Sequence, residues 1–252
     1  YSLGLDDGTS GFPFAPFTAT LHCVRVTVLE VIQKSAEFLA RKDVESPRLQ
    51  TELLLAHLLK LPRMKLYLNF DRTLSDTELD AVRTLVRRRG QREPLQHIVG
   101  STSFCGLEIS VNRNVLVPRP ETELLAEAGW EFLSTLNSQP ATALDFGTGS
   151  GCIAIALAVK CPAARILALD ASAHALMVAK ENAARNDVGE RIEFLHGNSL
   201  AVLVVGSRFD LIVSNPPYIP SAEIATSQIE VRDFDPREAL DGGADGLAFY
   251  RL

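Results

Sequence analysis

Cysteine is scarce in this chain, and no long apolar run interrupts it. The four cysteines among 252 residues are Cys23, Cys105, Cys152 and Cys161, whose spacing fits no metal site. They are typical of buried or free thiols in a reducing compartment. No apolar run is long enough to cross a membrane, and residues 1–22 lack an initiator methionine, a basic start and an apolar signal core. The sequence therefore predicts no membrane span and no secretory signal peptide.

The chain also has fewer basic than acidic residues. The net charge is −6 and the isoelectric point is near 5.4, which argues against a general binder of nucleic-acid backbones. The five histidines do not cluster, and none has metal-ligand spacing with cysteines or acids. No Ser-His-Asp arrangement can be assembled either. We therefore expect neither a metal centre nor a hydrolase triad.

A glycine-rich turn at residues 147–151 follows an apolar strand and precedes a helix. Glycines let the backbone approach a ligand closely, and the amides that open a helix favour a carboxylate or phosphate. The dinucleotide pattern G-x-G-x-x-G fails because Cys152 stands at its last position. The pattern G-x-x-x-x-G-K-[ST] is absent as well. The turn is therefore predicted to bind a small ligand that is neither NAD nor a nucleoside triphosphate.

Polar residues end the predicted strands of an alternating strand-helix pattern over residues 143–214. Such alternation indicates an α/β fold with a parallel sheet, whose ligands bind at the carboxyl ends of the strands. Asp170 falls 25 positions after Asp145, where an acid could bind a ribose diol; the alternative is a cap on the next helix, shared with Ser172. Asn198 and Asn215 follow the next two strands. We expect these strand ends to converge on one site.

The Asn-Pro-Pro-Tyr turn at residues 215–218 suits a planar NH2 group. The Asn215 side-chain oxygen and the Pro216 carbonyl can both accept hydrogen bonds from one amide or exocyclic amine. Pro217 stiffens the backbone, and the Tyr218 ring offers a flat wall. An ordinary strand-to-loop turn is the alternative, because Asn-Pro marks turns in many proteins.

Together with the Pro-Arg-Pro-Glu-Thr-Glu run at residues 118–123 and the segment 231–236, these features resemble the HemK/PrmC family of class I methyltransferases. The resemblance covers roughly residues 24–252. It implies methyl transfer from S-adenosylmethionine to the side-chain amide nitrogen (N5) of the glutamine in the Gly-Gly-Gln motif of peptide chain release factors. It implies a release factor as partner, no direct nucleic-acid contact, no membrane contact, a monomer and a cytoplasmic location, with an organellar one as the alternative.

The resemblance also assigns site residues. Asn215, Pro216, Pro217 and Tyr218 are predicted to be catalytic, and the same four residues with Arg119 and Glu121 are predicted to bind the substrate. The predicted cofactor contacts are Asp145, Gly147, Thr148, Gly149, Ser150, Gly151, Asp170, Asn198, Ser199 and Asn215.

Two features depart from the family. Its members often carry Asp-Trp after the third strand, where this chain has Asn198 and Ser199 and so lacks an indole wall for adenine. The fold normally has seven strands and only four can be found here. We expect the chain to end inside a helix that begins near Leu247, and the strand at 209–214 to be an exposed apolar edge that makes the protein poorly soluble or inactive.

Four parts are predicted along the chain: an irregular extension at 1–23, a helical domain at 24–93, a β-hairpin connection at 94–120 with its turn near Gly106, and the methyltransferase domain at 121–252, incomplete at its C-terminus. Two helices should start at Pro47 and after Ser75. An arginine cluster at residues 87–92 either offsets a helix dipole, binds nucleic acid or contacts a release factor. Two other functions stay open: a DNA or RNA amino-methyltransferase acting on adenine N6 or guanine N2, and a non-catalytic fragment.

Overall fold

A computed structural model describes residues 26–136 and 140–251. The chain divides into two compact units between Val99 and Gly100. Residues 94–99, predicted to belong to the hairpin connection, group with the preceding helices, and the predicted extension at 1–23 lies outside the described residues. No helix within the described ranges is long and apolar enough to cross a membrane.

The first unit is helical, as predicted. Its helices are α1 (Val28–Ala40), α2 (Pro47–Leu59), α3 (Arg63–Leu66), α4 (Asp76–Gly90) and α5 (Leu95–Val99). The predicted starts of α2 at Pro47 and of α4 after Ser75 are confirmed. Ser75 accepts a hydrogen bond from the Glu78 amide while Glu78 accepts one from the Ser75 amide, and this reciprocal cap fixes the start of α4.

Arg88 and Arg89 of the arginine cluster form hydrogen bonds with other residues of this unit. Arg88 binds both carboxylate oxygens of Glu93, at 2.8 and 2.7 Å. Arg89 is buried, and it donates to the Gln50 side chain and to the Glu93 carbonyl. Packing inside this unit therefore explains much of the cluster.

The second unit begins with an antiparallel hairpin of β1 (Ser101–Phe104) and β2 (Leu107–Ser110), whose turn contains Gly106 as predicted. Strands and helices then alternate as α6 (Pro120–Thr135), β3 (Thr142–Phe146), α7 (Cys152–Lys160), β4 (Arg165–Asp170), α8 (Ala173–Arg185), β5 (Ile192–His196), β6 (Leu211–Val213) and α9 (Ile229–Phe234). The sheet is parallel with the order β5-β4-β3-β6, which confirms the predicted α/β fold.

Alternate residues of β3 face two different cores. Ala143 packs in the larger core with the buried residues of α7, while Leu144 and Phe146 face a smaller cluster that includes Leu169. Asp145 alternates with these two and accepts a hydrogen bond from the Ala154 amide of α7. Strand geometry therefore directs this carboxylate under α7 rather than toward open solvent.

Two predicted elements differ from the structure. The last strand is shorter than residues 209–214, and β6 spans only three residues because it pairs with β3 alone at the edge of the described sheet. Ile212 on this edge is 57% exposed. The prediction of a helix that begins near Leu247 is wrong. The described residues in this segment form only a short 3-10 turn at Phe249–Arg251.

Candidate active site

The site lies where the order of the strands reverses. From β3 the chain moves outward through β4 to β5 and then returns to β6 on the other side of β3. Asp145 pairs with Val213 across these strands, and Ser214 Oγ donates to the Phe146 carbonyl at 2.6 Å. The glycine-rich turn after β3 is thus next to Asn215. In open α/β sheets, a reversal of this kind opens the crevice in which ligands bind.

The turn at residues 147–151 takes its shape from glycine. Gly147, Gly149 and Gly151 have φ angles of 79°, 55° and 81°, in the left-handed region that side chains disfavour. The amides of Gly147 and Thr148 both donate to the Leu169 carbonyl, at 2.8 and 3.0 Å. These bonds fix the turn against the end of β4, beside Asp170.

Asp145 supports the turn from below. It is fully buried, and its Oδ2 accepts hydrogen bonds from Thr148 Oγ1 at 2.6 Å and from the Ala154 amide at 3.1 Å. Its Oδ1 has no hydrogen-bond partner among the described residues. Burial raises the pKa of Asp145 to about 6, although these two hydrogen bonds act in the opposite direction. The side chain ties the turn to the start of α7.

Asp170 holds the other side of the turn. Its Oδ2 accepts from the Gly149 amide and its Oδ1 accepts from the Ser172 amide, both at 2.8 Å. The cap of α8 is Ser172, whose Oγ accepts from the Ala175 amide. The helix cap considered for Asp170 is thus supplied by Ser172. Each Asp170 oxygen keeps a further lone pair, since a carboxylate can accept about four hydrogen bonds.

A cavity of about 740 Å³ opens above the turn. Asp170 and Asn198 lie on its wall, and Phe249 packs its ring against Phe146 at a centroid distance of 4.4 Å. A carboxylate for a diol and aromatic walls fit an elongated ligand such as S-adenosylmethionine. Of the predicted cofactor contacts, the wall includes Gly147, Thr148, Gly149, Ser150, Asp170, Asn198 and Asn215, but not Asp145, Gly151 or Ser199.

A second cavity, of about 530 Å³, meets the first at Asn215. Pro216 and Tyr218 line this smaller cavity, whereas Pro217 lines the larger one. Arg119 and Glu121, predicted to bind the substrate, lie on the wall of the smaller cavity. The Asn-Pro-Pro-Tyr turn therefore separates two spaces, and Asn215 faces both.

Arg119 is held by a carboxylate far along the chain. Its Nη2 donates to Asp235 Oδ2 at 2.6 Å, and the Asp235 side chain is almost completely buried. Burial raises the pKa of Asp235 to about 6, whereas Arg119 and the Val117 amide act to lower it. The ion pair connects the Pro-Arg-Pro-Glu-Thr-Glu run to the end of α9.

Sequence reasoning missed several residues of the two cavities. Thr122 lines both cavities, and its Oγ1 accepts a hydrogen bond from Asn215 Nδ2 at 3.2 Å. Phe249, Glu238 and Arg113 line the larger one, where the Arg113 guanidinium lies 4.9 Å from the centre of the Phe234 ring. The position of Thr122 within the Pro-Arg-Pro-Glu-Thr-Glu run was the available signal. The other three carry no motif that would have indicated them.

The parallel sheet carries a glycine-rich turn after its first strand, an acid after its second strand and an Asn-Pro-Pro-Tyr turn where the strand order reverses. These features define a class I S-adenosylmethionine-dependent methyltransferase. Two family models match the chain: the PrmC N-terminal domain at residues 30–100 and the methyltransferase small domain at residues 126–231.

Relatives with the name release factor glutamine methyltransferase align along most of the chain. The proteins of Geobacter sulfurreducens and Chlorobaculum tepidum are each 48% identical, over 90% and 89% of this chain and 77% and 78% of their own lengths. That of Rhodopirellula baltica is 41% identical over 87% of this chain and 75% of its own length. The chain belongs to the release factor glutamine methyltransferase family.

Proposed function

We propose that this chain transfers a methyl group from S-adenosylmethionine to the side-chain amide nitrogen of the glutamine in the Gly-Gly-Gln motif of a peptide chain release factor. The observation that carries the proposal is the position of Asn215 between two cavities. The larger cavity suits the cofactor, and the smaller one suits a side chain that arrives from a protein. The names of the relatives support the same reaction.

The cofactor, when bound, supplies an electrophilic methyl group on a sulfonium. The acceptor amide nitrogen is a poor nucleophile because its lone pair is delocalised, so positioning dominates over proton removal. Asn215 Oδ1 accepts no hydrogen bond from the described residues, and its Nδ2 is engaged by Thr122. This oxygen and the Pro216 carbonyl are the two acceptors that we assign to the N–H groups of the glutamine.

The same two acceptor oxygens also stabilise the positive charge that develops in the transition state. Positive charge grows on the amide nitrogen as its lone pair forms the new bond to carbon, and nearby oxygens stabilise it. The surplus proton leaves to water after the transfer. Tyr218 is 62% exposed on the wall of the smaller cavity, where we assign its ring to the outer contact with the planar amide. Pro217 keeps the backbone of the turn fixed.

On the cofactor side, we assign the ribose hydroxyls to Asp170, whose two oxygens are already held by backbone amides. Asn198 is exposed on the same wall and suits the adenine amino group. Asp145, Gly151 and Ser199 do not line the cavity. For Asp145 and Gly151 we propose an indirect role, in which they hold the shape of the glycine-rich turn.

We propose a monomeric enzyme whose partner is a release factor and which makes no direct contact with nucleic acid. We propose a cytoplasmic location, with an organellar one as the alternative, because release factors act on ribosomes. The net charge of −6 supports the exclusion of a nucleic-acid substrate. Sedimentation of the protein alone and with a release factor would give both stoichiometries.

The deciding experiment offers cofactor labelled in its methyl group to three substrates in parallel: a release factor, ribosomal RNA and duplex DNA. We expect label in the release factor, and mass spectrometry should place one added methyl on the glutamine of the Gly-Gly-Gln peptide. A release factor with that glutamine changed to glutamate is the matched control and should stay unlabelled. Label in nucleic acid alone would refute the proposal.

A further inference from the structure

The hydroxyl of Thr122 lies against the side chain that faces both cavities. Asn215 Nδ2 donates to Thr122 Oγ1 at 3.2 Å, although the two residues are 93 positions apart. Thr122 is buried, and its amide donates to the Arg119 carbonyl at 3.0 Å in the first turn of α6. The hydroxyl is therefore presented from a fixed helix start.

We propose that Thr122 is a positioning residue that sets the orientation of the Asn215 amide, an inference that rests on the proposed methylation of glutamine. An asparagine side chain has an acceptor end and a donor end of nearly the same shape. With its nitrogen on Thr122, Asn215 keeps its oxygen for the substrate. With the two ends exchanged, two N–H donors would face the N–H groups of the substrate and repel them.

The local structure explains why threonine suits this position. A β-branched side chain in a helix has few χ1 rotamers, so the hydroxyl of Thr122 has little freedom to leave Asn215. A hydroxyl can donate as well as accept, but Nδ2 is the end of Asn215 that lies on Thr122 Oγ1, and an amide nitrogen without a partner is costly at this partly buried position. Thr122 acts through Asn215 and needs no contact with the reacting atoms.

The test compares two substitutions that differ in whether the hydroxyl is kept. Thr122→Val removes the hydroxyl, whereas Thr122→Ser keeps it. We expect Thr122→Val to lower kcat about tenfold, the magnitude of one lost neutral hydrogen bond, and Thr122→Ser to restore most of that rate. The dissociation constant for S-adenosylhomocysteine, measured by calorimetry, should stay within about twofold in both variants because Asp170 and Asn198, which we assign to the cofactor, are unchanged.

A matched control lies on the same helix. Thr135 is exposed near the end of α6, and its hydroxyl donates to the Phe132 carbonyl. Thr135→Val makes the same chemical change away from both cavities and should leave kcat unchanged. Melting curves of all variants would identify any loss of folding.

A double-mutant cycle separates positioning from packing. In the Asn215→Ala background, Thr122→Val should cause no further loss of kcat, since the side chain that it orients is gone. An equal tenfold loss in that background would overturn the inference, as would equal rates for Thr122→Val and wild type, or equal losses for Thr122→Ser and Thr122→Val. If the wild type itself left the release factor unmethylated, the proposed function would fail first and the inference with it.

Discussion

Arg119 and Asp235 are 116 residues apart in sequence, yet Nη2 of one lies 2.6 Å from Oδ2 of the other. The contact joins the segment before α6 to the segment after α9, and Arg119 lines the smaller cavity. The Arg119 side chain is 40% exposed while the Asp235 side chain is 1% exposed. Water therefore reaches the arginine side of the ion pair. The buried Asp235 carboxylate depends on Arg119 for a compensating positive charge.

Removal of Arg119 should destabilise the second unit. Arg119→Met leaves a buried carboxylate without its cation, which we expect to lower the free energy of unfolding by about 2–3 kcal/mol at pH 7.5. The chain has a single tryptophan, Trp130 in α6, so its fluorescence during urea unfolding reports on this unit.

The double variant with Asp235→Asn supplies the control for this pair. It should be more stable than Arg119→Met alone, because no buried charge remains. The decrease in free energy of unfolding caused by Arg119→Met should also be smaller near pH 5, because Asp235, with a pKa of about 6, takes up a proton there. Equal losses at both pH values would show that the ion pair contributes little.

Asn215→Ala tests the acceptor between the cavities. We expect the transition state to lose about 2–4 kcal/mol of stabilisation, a drop in kcat on the order of a hundredfold or more at saturating cofactor. The measurement is single-turnover methylation of a release factor. The control is Asn69→Ala, which changes a partly exposed asparagine of the first unit that donates to the Lys65 carbonyl. A near wild-type rate for Asn215→Ala would remove this residue from the mechanism.

Asp170→Ala should weaken binding of the cofactor. Hydrogen bonds to a charged group are worth about 1.5–3 kcal/mol, so we expect the dissociation constant of S-adenosylhomocysteine to rise about tenfold or more. The rate at saturating cofactor should fall much less, because the contact is similar in the ground and transition states. Asp80→Ala, which removes an exposed carboxylate paired with Arg83, should leave calorimetric binding unchanged. Unchanged binding in Asp170→Ala itself would argue for a structural role beside Gly149.

The raised pKa of the buried Asp145 carboxyl group predicts that the stability of the protein depends on pH. Its pKa is raised from an ordinary value of 3.8 to about 6, so the folded state binds a proton more tightly than the unfolded state does. The resulting stabilisation is fully present below the ordinary value and is lost as the pH rises through about 6. The free energy of unfolding of wild type, relative to Asp145→Asn, should therefore fall between pH 4 and pH 7, by up to about 3 kcal/mol.

Trp130 fluorescence in urea at several pH values would measure this dependence. Asp71→Asn, which removes an exposed carboxylate, is the control for surface charge. The difference in free energy of unfolding between this variant and wild type should not change in the same way with pH. A constant difference between wild type and Asp145→Asn across this range would contradict the raised pKa of the buried carboxyl group.

The sequence by itself determined most of the strands, the starts of α2 and α4 and the residues at the strand ends, but not the limits of β6 or the local structure near Leu247. Local signals are enough for these features, because a capping box at Ser75, a glycine-rich turn at 147–151 and an acid at Asp170 each act within a few residues. The motifs also indicated the family. They placed Asn215 at a strand end and left its neighbours undefined.

Only the tertiary structure decided which distant side chains meet. The order β5-β4-β3-β6 brings the ends of β3 and β6 together, and with them Thr122 against Asn215 and Arg119 against Asp235. It also turned Asp145 under α7, where burial raises its pKa, rather than into the cavity. Such contacts depend on the pairing of strands far apart in the chain, which local propensity does not encode.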